Sequence, residues 1–397
     1  MRKTYFIIIA ICFCWLSSAS QVAFQKDEPI ENTASLTPAA SNGEEVFTLY
    51  LFAHTDEIIS QALLQYVFNN NPGFASYVNS KFKPILITQN DEKWEQWACK
   101  LRLRKLPAIA VFNQEGFLLG QVWGYKSAEE FQRWLYFTTG KRMVSMAFQS
   151  KSKEMYPDFY KASMVRKEAT LIDTPTVTAY LGRFGTTPDE VVWNLAREYM
   201  PLLGPQALRL YDNQNFLFQH FGIDFMLMQY DHATYIADTL KLGTDKNLQN
   251  TIIPQLRSFG FSNIDQWERF ILAHQAVYRK DWKNVPVALA AYAADSTSYL
   301  FRLDSLASWC RSVYENSTDK QSLFMAEKVL RENKLTHSRP DYLALLGLIQ
   351  CKNQKWYDAE VSLKRAQNHP LLIMTDEQKI TMALAEIEAK KNKAKKK

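Results

Sequence analysis

The hydrophobic period of this chain changes once, and that change limits what it can fold into. Between Val46 and Trp134 apolar runs alternate with amphipathic stretches; beyond about Lys141 only the helical period remains. "VFTLYLFA" reads as a strand. The stretch after Asp56 reads as a helix, with Ile58, Ile59, Ala62, Leu63, Tyr66 and Val67 on one face. "FKPILIT" is an unbroken apolar run of the kind buried in a central sheet. "NDEKWEQWACKLRL" is a helix with Asn90 or Asp91 as its N-cap. "LPAIAVFNQEGFLLGQVWGY" is a hairpin turning at Asn113 to Gly116, and "SAEEFQRWLYF" is a helix capped by Ser127. The order is β-α-β-α-β-β-α. The remainder is helical, and "TTPDEVVWNLAREY" starts with Thr187 as cap and Pro188 at the first helical position.

Ahead of this body, "MRKTYFIIIAICFCWLSSASQ" places Arg2 and Lys3 before an apolar run from Tyr5 to Leu16 and small residues from Ser17 to Ser20. That order is the signature of a secretory leader, expected to be cleaved after Ser20. The run is shorter than the ~20 residues of a spanning helix, so a short retained anchor is the alternative. Neither Cys12 nor Cys14 follows a small residue, which argues against a lipoprotein anchor. The expected location is the periplasm or cell envelope. Residues 21–44 lack periodicity and are rich in Pro, Ser, Thr, Asn and Ala, as a linker is. The expected divisions are 1–20 leader, 21–44 linker, 45–141 α/β domain, 142–258 helical domain, 259–389 helical hairpins and 390–397 basic tail.

The net charge of +6 is local in origin. Arg2, Lys3 and six lysines within 390–397 exceed it, so the rest of the chain is slightly acidic. A like-charge run of this kind is expected to be solvated and disordered. No nucleic-acid module accompanies it. Membrane contact is open only to the leader or to this tail.

Repetition is visible near the C-terminus. "LLGLIQCKNQKWYDAEVSLKRAQNHP" carries Leu346-Gly347, then Ala359, Leu363, Ala366 and Pro370. About 33 residues earlier, Ala326 and Leu330 fall in register, and "ILAHQAVYRKDWKNVPVALAAYA" is a weaker third copy. Small residues at these offsets let paired helices approach closely. The unit resembles the tetratricopeptide repeat; generic helical hairpins are the alternative.

From Val46 to Phe137 the element order, with "KLPAIAVFNQEG" and "GQVWGY", resembles the thioredoxin superfamily. With the helical segments that follow, it resembles exported bacterial thioredoxin-family proteins. The resemblance implies a cis-proline at Leu106-Pro107, opening a strand. It also places the family's two redox cysteines at Glu57 and Ser60. There is no cysteine between Gln21 and Ala98. Thiol–disulfide exchange starts with a thiolate attacking a disulfide sulfur, so that chemistry has no nucleophile here. Cys99, Cys310 and Cys351 are scattered and form no disulfide framework, although Cys310 and Cys351 can meet if their helices stack.

The candidate site residues are therefore His54, Asp56, Glu57 and Ser60, lining a former redox pocket, and Leu106, Pro107 and Ala108, a peptide-binding edge implied by the resemblance. His54 with two carboxylates is also a set that binds metal or moves protons. Against that, Asp56 suits an N-cap and Glu57 the helix dipole. No phosphate loop, nucleophile elbow or zinc spacing occurs, and no metal or cofactor is expected. The expectation is an α/β thioredoxin-like domain followed by an all-α repeat-like region, without enzymatic redox activity, which binds or scaffolds a protein or peptide in the envelope. The alternative is an oxidoreductase, or redox-linked chaperone, working through a non-standard site.

Overall fold

The computed structural model describes residues 21–25, 46–140, 144–150, 154–165, 174–182, 188–203, 213–222, 224–225, 228, 250, 253–258, 264–294, 302–369 and 377–395. The expected leader, most of the expected linker and Thr187 lie outside them. The chain divides into two compact units, Met1–Gln229 and Tyr230–Lys397.

The first unit is built on a five-stranded mixed sheet in the order β2-β1-β3-β4-β5. Its strands are β1 (Phe47–Ala53), β2 (Phe82–Thr88), β3 (Ala108–Phe112), β4 (Phe117–Trp123) and β5 (Ser145–Gln149). β1 runs parallel to β2 and antiparallel to β3, and β4 is antiparallel to β3 and β5. β1 and β3 are interior strands, which is why their sequences are apolar on both faces. On one face, Trp97 packs against Tyr50 and Phe52 with ring centres 4.7 and 5.7 Å away. Elsewhere in the core, Phe68 packs against Phe74 at 5.5 Å and Phe131 at 6.2 Å.

The helices of this unit are α1 (Ile58–Ala62), which continues as π-helix over Leu63–Asn69, α2 (Pro72–Lys81), α3 (Trp94–Lys100) and α4 (Ala128–Gly140), then α5 (Asp158–Val165), α6 (Thr174–Leu181), α7 (Glu190–Leu203) and α8 (Gln214–Phe221). α4 opens with a reciprocal capping box. The Ser127 hydroxyl accepts from Glu130 N at 3.2 Å, and Glu130 accepts from Ser127 N at 2.8 Å. The β3–β4 hairpin turns at Gly116, whose φ of 85° suits glycine, and an added Cβ would sit 2.6 Å from Ser150 Oγ.

Four local expectations are corrected. α3 begins at Trp94, not at Asn90 or Asp91, because Asp91 is spent on β2: its carboxylate accepts from Thr88 N at 2.6 Å and Thr88 Oγ1 at 2.9 Å. α7 is capped by Asp189, which accepts from Val192 N at 2.9 Å, so Pro188 precedes the cap. Strand structure does not end at Lys141. β5 pairs with β4, and its Ser145 hydroxyl bonds the Phe221 carbonyl at the end of α8. Gln21–Gln25, expected to be linker, lies along β2. Gln25 N donates to Pro84 O at 2.9 Å, Val22 is buried, and Phe24 packs 5.3 Å from Phe68.

A buried ion pair joins the sheet layer to the later helices. Lys100, 1% exposed, donates to Glu190 at 3.0 Å and to the Gln149 carbonyl at 2.8 Å. Tyr156 also donates to Glu190, and Asn194 Nδ2 donates to the Lys100 carbonyl at 2.9 Å. Arg197 pairs with Asp224, which also accepts from Trp193 Nε1. Burial pushes the Glu190 carboxyl above its ordinary range, with Lys100 opposing.

The second unit is helical: α9 (Ile253–Ser258), α10 (Ile264–Tyr278), α11 (Val285–Ala293), α12 (Leu303–Asn316), α13 (Lys320–Glu332), α14 (Pro340–Lys352), α15 (Trp356–Gln367) and α16 (Glu377–Lys395). Successive helices pack in pairs, an arrangement compatible with helical repeats. Ala326, Leu330, Leu346, Ala359, Leu363 and Ala366 are all buried at these contacts. Gly347 marks the closest approach: a Cβ there would lie 2.6 Å from Leu363 Cγ and 3.2 Å from the Ala359 carbonyl. The basic tail is not free chain as far as Lys395. It continues α16, whose Ile380 and Ile387 are buried in one cluster with Ala359 and Leu363. Lysines near a helix C-terminus also favour its dipole. Among the described residues no helix is long and apolar enough to cross a membrane.

Two outcomes follow for stability. Gly347→Ala should destabilise the protein by about 1–3 kcal/mol through overpacking, although alanine is the better helix former. Gly73→Ala, where the added carbon meets nothing closer than 3.8 Å, should be neutral or stabilising in the same urea titration. Lys100→Met should cost about 3–5 kcal/mol by leaving Glu190 buried and unpaired, and adding Glu190→Leu should recover much of that loss. With its folded pKa raised above the unfolded value, a lone Glu190 holds more protons in the folded state. The single variant should therefore be less impaired at acidic pH and lose stability as pH rises through that folded pKa.

Candidate functional site

β1 ends at Ala53 and α1 begins at Ile58, so His54 to Glu57 form a loop at the sheet end. β3 pairs Ala108 with Phe52. Carried on along both chains, that register sets Pro107 and Leu106 opposite the end of β1. The two predicted groups of residues therefore share one end of the sheet. The Leu106–Pro107 peptide is cis.

Within the loop the polar side chains satisfy one another. Ser60 is fully buried, and its hydroxyl donates to Glu57 Oε2 at 2.7 Å while accepting from His54 N at 3.3 Å. His54 Nδ1 accepts from Asp56 N at 3.4 Å, and Asp56 accepts from the Thr55 hydroxyl at 3.3 Å. The helix is capped at the Glu57 position rather than at Asp56, without a side-chain cap bond, because the Glu57 carboxylate is turned to Ser60. Thr55, Gln61 and Gln89, which no motif in the sequence singles out, hold the loop. Gln89 accepts from Thr55 N at 3.0 Å and donates to its hydroxyl at 2.5 Å, and Gln61 donates to the Thr55 carbonyl at 2.6 Å.

Ile58 and Ile59 do not join the core face expected of them. They are 55% and 37% exposed, while Ala62, Leu63 and Val67 are buried. The first turn of α1 follows directly on the loop at the end of the sheet. Two aliphatic side chains are thus presented next to the Glu57–Ser60 bond.

The proline edge is narrower than expected. Ala108 is paired on both sides, with Phe52 and Trp123, so it belongs to an interior strand. The Pro107 carbonyl accepts from Gly124 N at 2.7 Å. Leu106 is half-buried and lies outside the strand ladders, while Pro107 is buried.

The thiols lie elsewhere. Cys99 is buried on α3, and its carbonyl accepts from Tyr160 Oη at 3.0 Å and Asn194 at 3.3 Å. Burial, then Glu95, pushes its thiol up to about 12, with Lys161 opposing. Burial also raises the Cys310 thiol, and burial with Glu386 takes Cys351 to about 11. All three are free cysteines, so Cys310 and Cys351 do not pair. Among the described residues no three His, Cys, Asp or Glu side chains are grouped to hold a metal ion.

The second unit has a groove of about 220 Å³ between α10 and α11. Arg269, Leu272, Ala276 and Arg279 line one wall, and Val287 and Ala291 the other.

The thiol arrangement has a direct readout. In native protein at pH 8, iodoacetamide should leave Cys99 and Cys310 unmodified and label Cys351 about a hundredfold or more slowly than a free cysteine. All three should label in denaturant, scored site by site by mass spectrometry.

No protein-family model matches this chain, and searches of curated proteins and of solved structures return no match either.

Proposed function

We propose that this chain is an exported thioredoxin-like scaffold without redox chemistry, which acts by binding another protein or peptide in the bacterial envelope. The observation that carries the reading is the Ser60–Glu57 hydrogen bond of 2.7 Å. At the two positions where the resemblance sets exchanging sulfurs, a hydroxyl and a carboxylate bind each other. The strand order and the cis Leu106–Pro107 peptide are compatible with the scaffold, and the thiols that remain are buried or held far above neutral pH. Export rests on the leader pattern of residues 1–20. The binding surface in this reading is the sheet end, where Ile58 and Ile59 are exposed, Leu106 is half-buried and Pro107 is buried. Apolar side chains presented by a rigid element are what a partner's apolar segment meets first. The groove between α10 and α11 is a second contact of the same kind.

Two experiments test this. Purified protein should show no insulin-reductase turnover, whereas turnover that disappears in Cys99→Ser would establish the oxidoreductase alternative. The double change Glu57→Cys with Ser60→Cys should introduce turnover, since it returns two sulfurs to a helix N-terminus that favours a thiolate. For binding, envelope extract is passed over the wild type, over Ile58→Glu with Ile59→Glu, and over Pro107→Ala. Loss of a captured protein in the variants is expected; an identical set of captured proteins in all three would refute the proposed surface.

A further inference from the structure

Apart from Arg2 and Lys3, the excess positive charge of the chain comes from one stretch of the second unit. Six of the residues 390–397 are lysine. α16 carries them outward as helix as far as Lys395 and is fastened at its root, with Ile380 and Ile387 buried. Lys390 sits 5.5 Å from the centre of the Trp356 ring, and Lys391 pairs with Glu360, so the cationic end of α16 lies against the first turns of α15.

The outer side of those same turns is apolar. Ala359, Leu363 and Ala366 face the core, which leaves Tyr357 and Val361, one turn apart, pointing away from it. Tyr357 is 73% exposed and Val361 43%. Val361 directly follows Glu360, the partner of Lys391, and Lys364 lies one turn beyond. An exposed tyrosine and valine are thus flanked by lysines from two helices. Asp358, Glu360, Glu386 and Glu388 are the carboxylates nearby in sequence, and Glu360 is already paired with Lys364 and Lys391.

We propose that this pole is a docking surface for a bilayer containing anionic lipid. Lysines draw the surface to negatively charged headgroups, and an aromatic and an aliphatic side chain between them have the size and polarity to enter the headgroup layer. A nucleic acid would use the lysines equally but leave the valine without a role. The inference is independent of the protein-binding reading, since vesicles supply the whole partner.

The test is co-sedimentation of purified full-length protein with vesicles of phosphatidylcholine alone or mixed with phosphatidylglycerol. The protein should pellet with the mixed vesicles only, and less so as salt is raised. Lys393→Gln with Lys395→Gln should weaken partitioning roughly twentyfold, at about fivefold per lysine. In sequence those two lysines lie beyond Ile380 and Ile387, which fasten α16, and unchanged circular dichroism would show that the fold is kept. Tyr357→Ser with Val361→Ser should weaken partitioning severalfold, and Tyr357→Trp should shift its emission to the blue on mixed vesicles. Equal pelleting with neutral vesicles, unchanged partitioning of the lysine variant, or binding to a DNA duplex without binding to vesicles would each overturn the proposal.

Discussion

A lysine ammonium taken out of water must find an opposite charge and further acceptors, or the surrounding structure does not form. Lys100 meets that demand with Glu190 and the Gln149 carbonyl, and in doing so ties α3 to β5 and α7. Asn194 and Tyr160 complete the contact by binding the carbonyls of Lys100 and Cys99. The sheet and the helices up to α8 therefore form one unit. Cys99, the residue before Lys100 on α3, is buried beside this contact, and burial with Glu95 raises its thiol.

Chemistry at the sheet end follows from one element. A serine hydroxyl can donate a single hydrogen bond and has no accessible anion near neutral pH, so Ser60 serves as an internal tie between Glu57 and the His54 amide. Gln89, just after β2 at the same end of the sheet, holds Thr55 by two hydrogen bonds. The loop is thereby fixed in shape while its aliphatic neighbours Ile58 and Ile59 stay exposed.

Much of this was legible in the chain. The first four strands announce themselves because buried strands need continuous apolar runs, and Ser127 reads as the cap of its helix. Gly347 was readable as a point of helix contact. β5 was not, since five residues of "SMAFQ" carry too little period, and their strand state depends on pairing with β4 and on the Phe221 carbonyl. Asp91 was misplaced because a carboxylate can cap a helix or close a turn, and only the position of Thr88 decides between them. Ile58 and Ile59 fit a helical face by spacing, but spacing does not say at which turn of the helix burial begins. The lysine run looked like free chain because its anchors, Trp356 and Glu360, lie about thirty residues earlier.

The five residues Gln21–Gln25 have a meaning beyond packing. β2 is an outer strand, and its outward amides are each accounted for: Phe82 donates to Val78, Pro84 has no N–H, Leu86 donates to Gln25 at 3.4 Å, and Thr88 donates to Asp91. Remove the short segment and the Leu86 amide stands open beside apolar residues, a template on which sheets of neighbouring molecules can add. A stretch that resembles spacer is thus a guard against self-association, and trimming the chain to its obvious domain would trade a tidy boundary for aggregation.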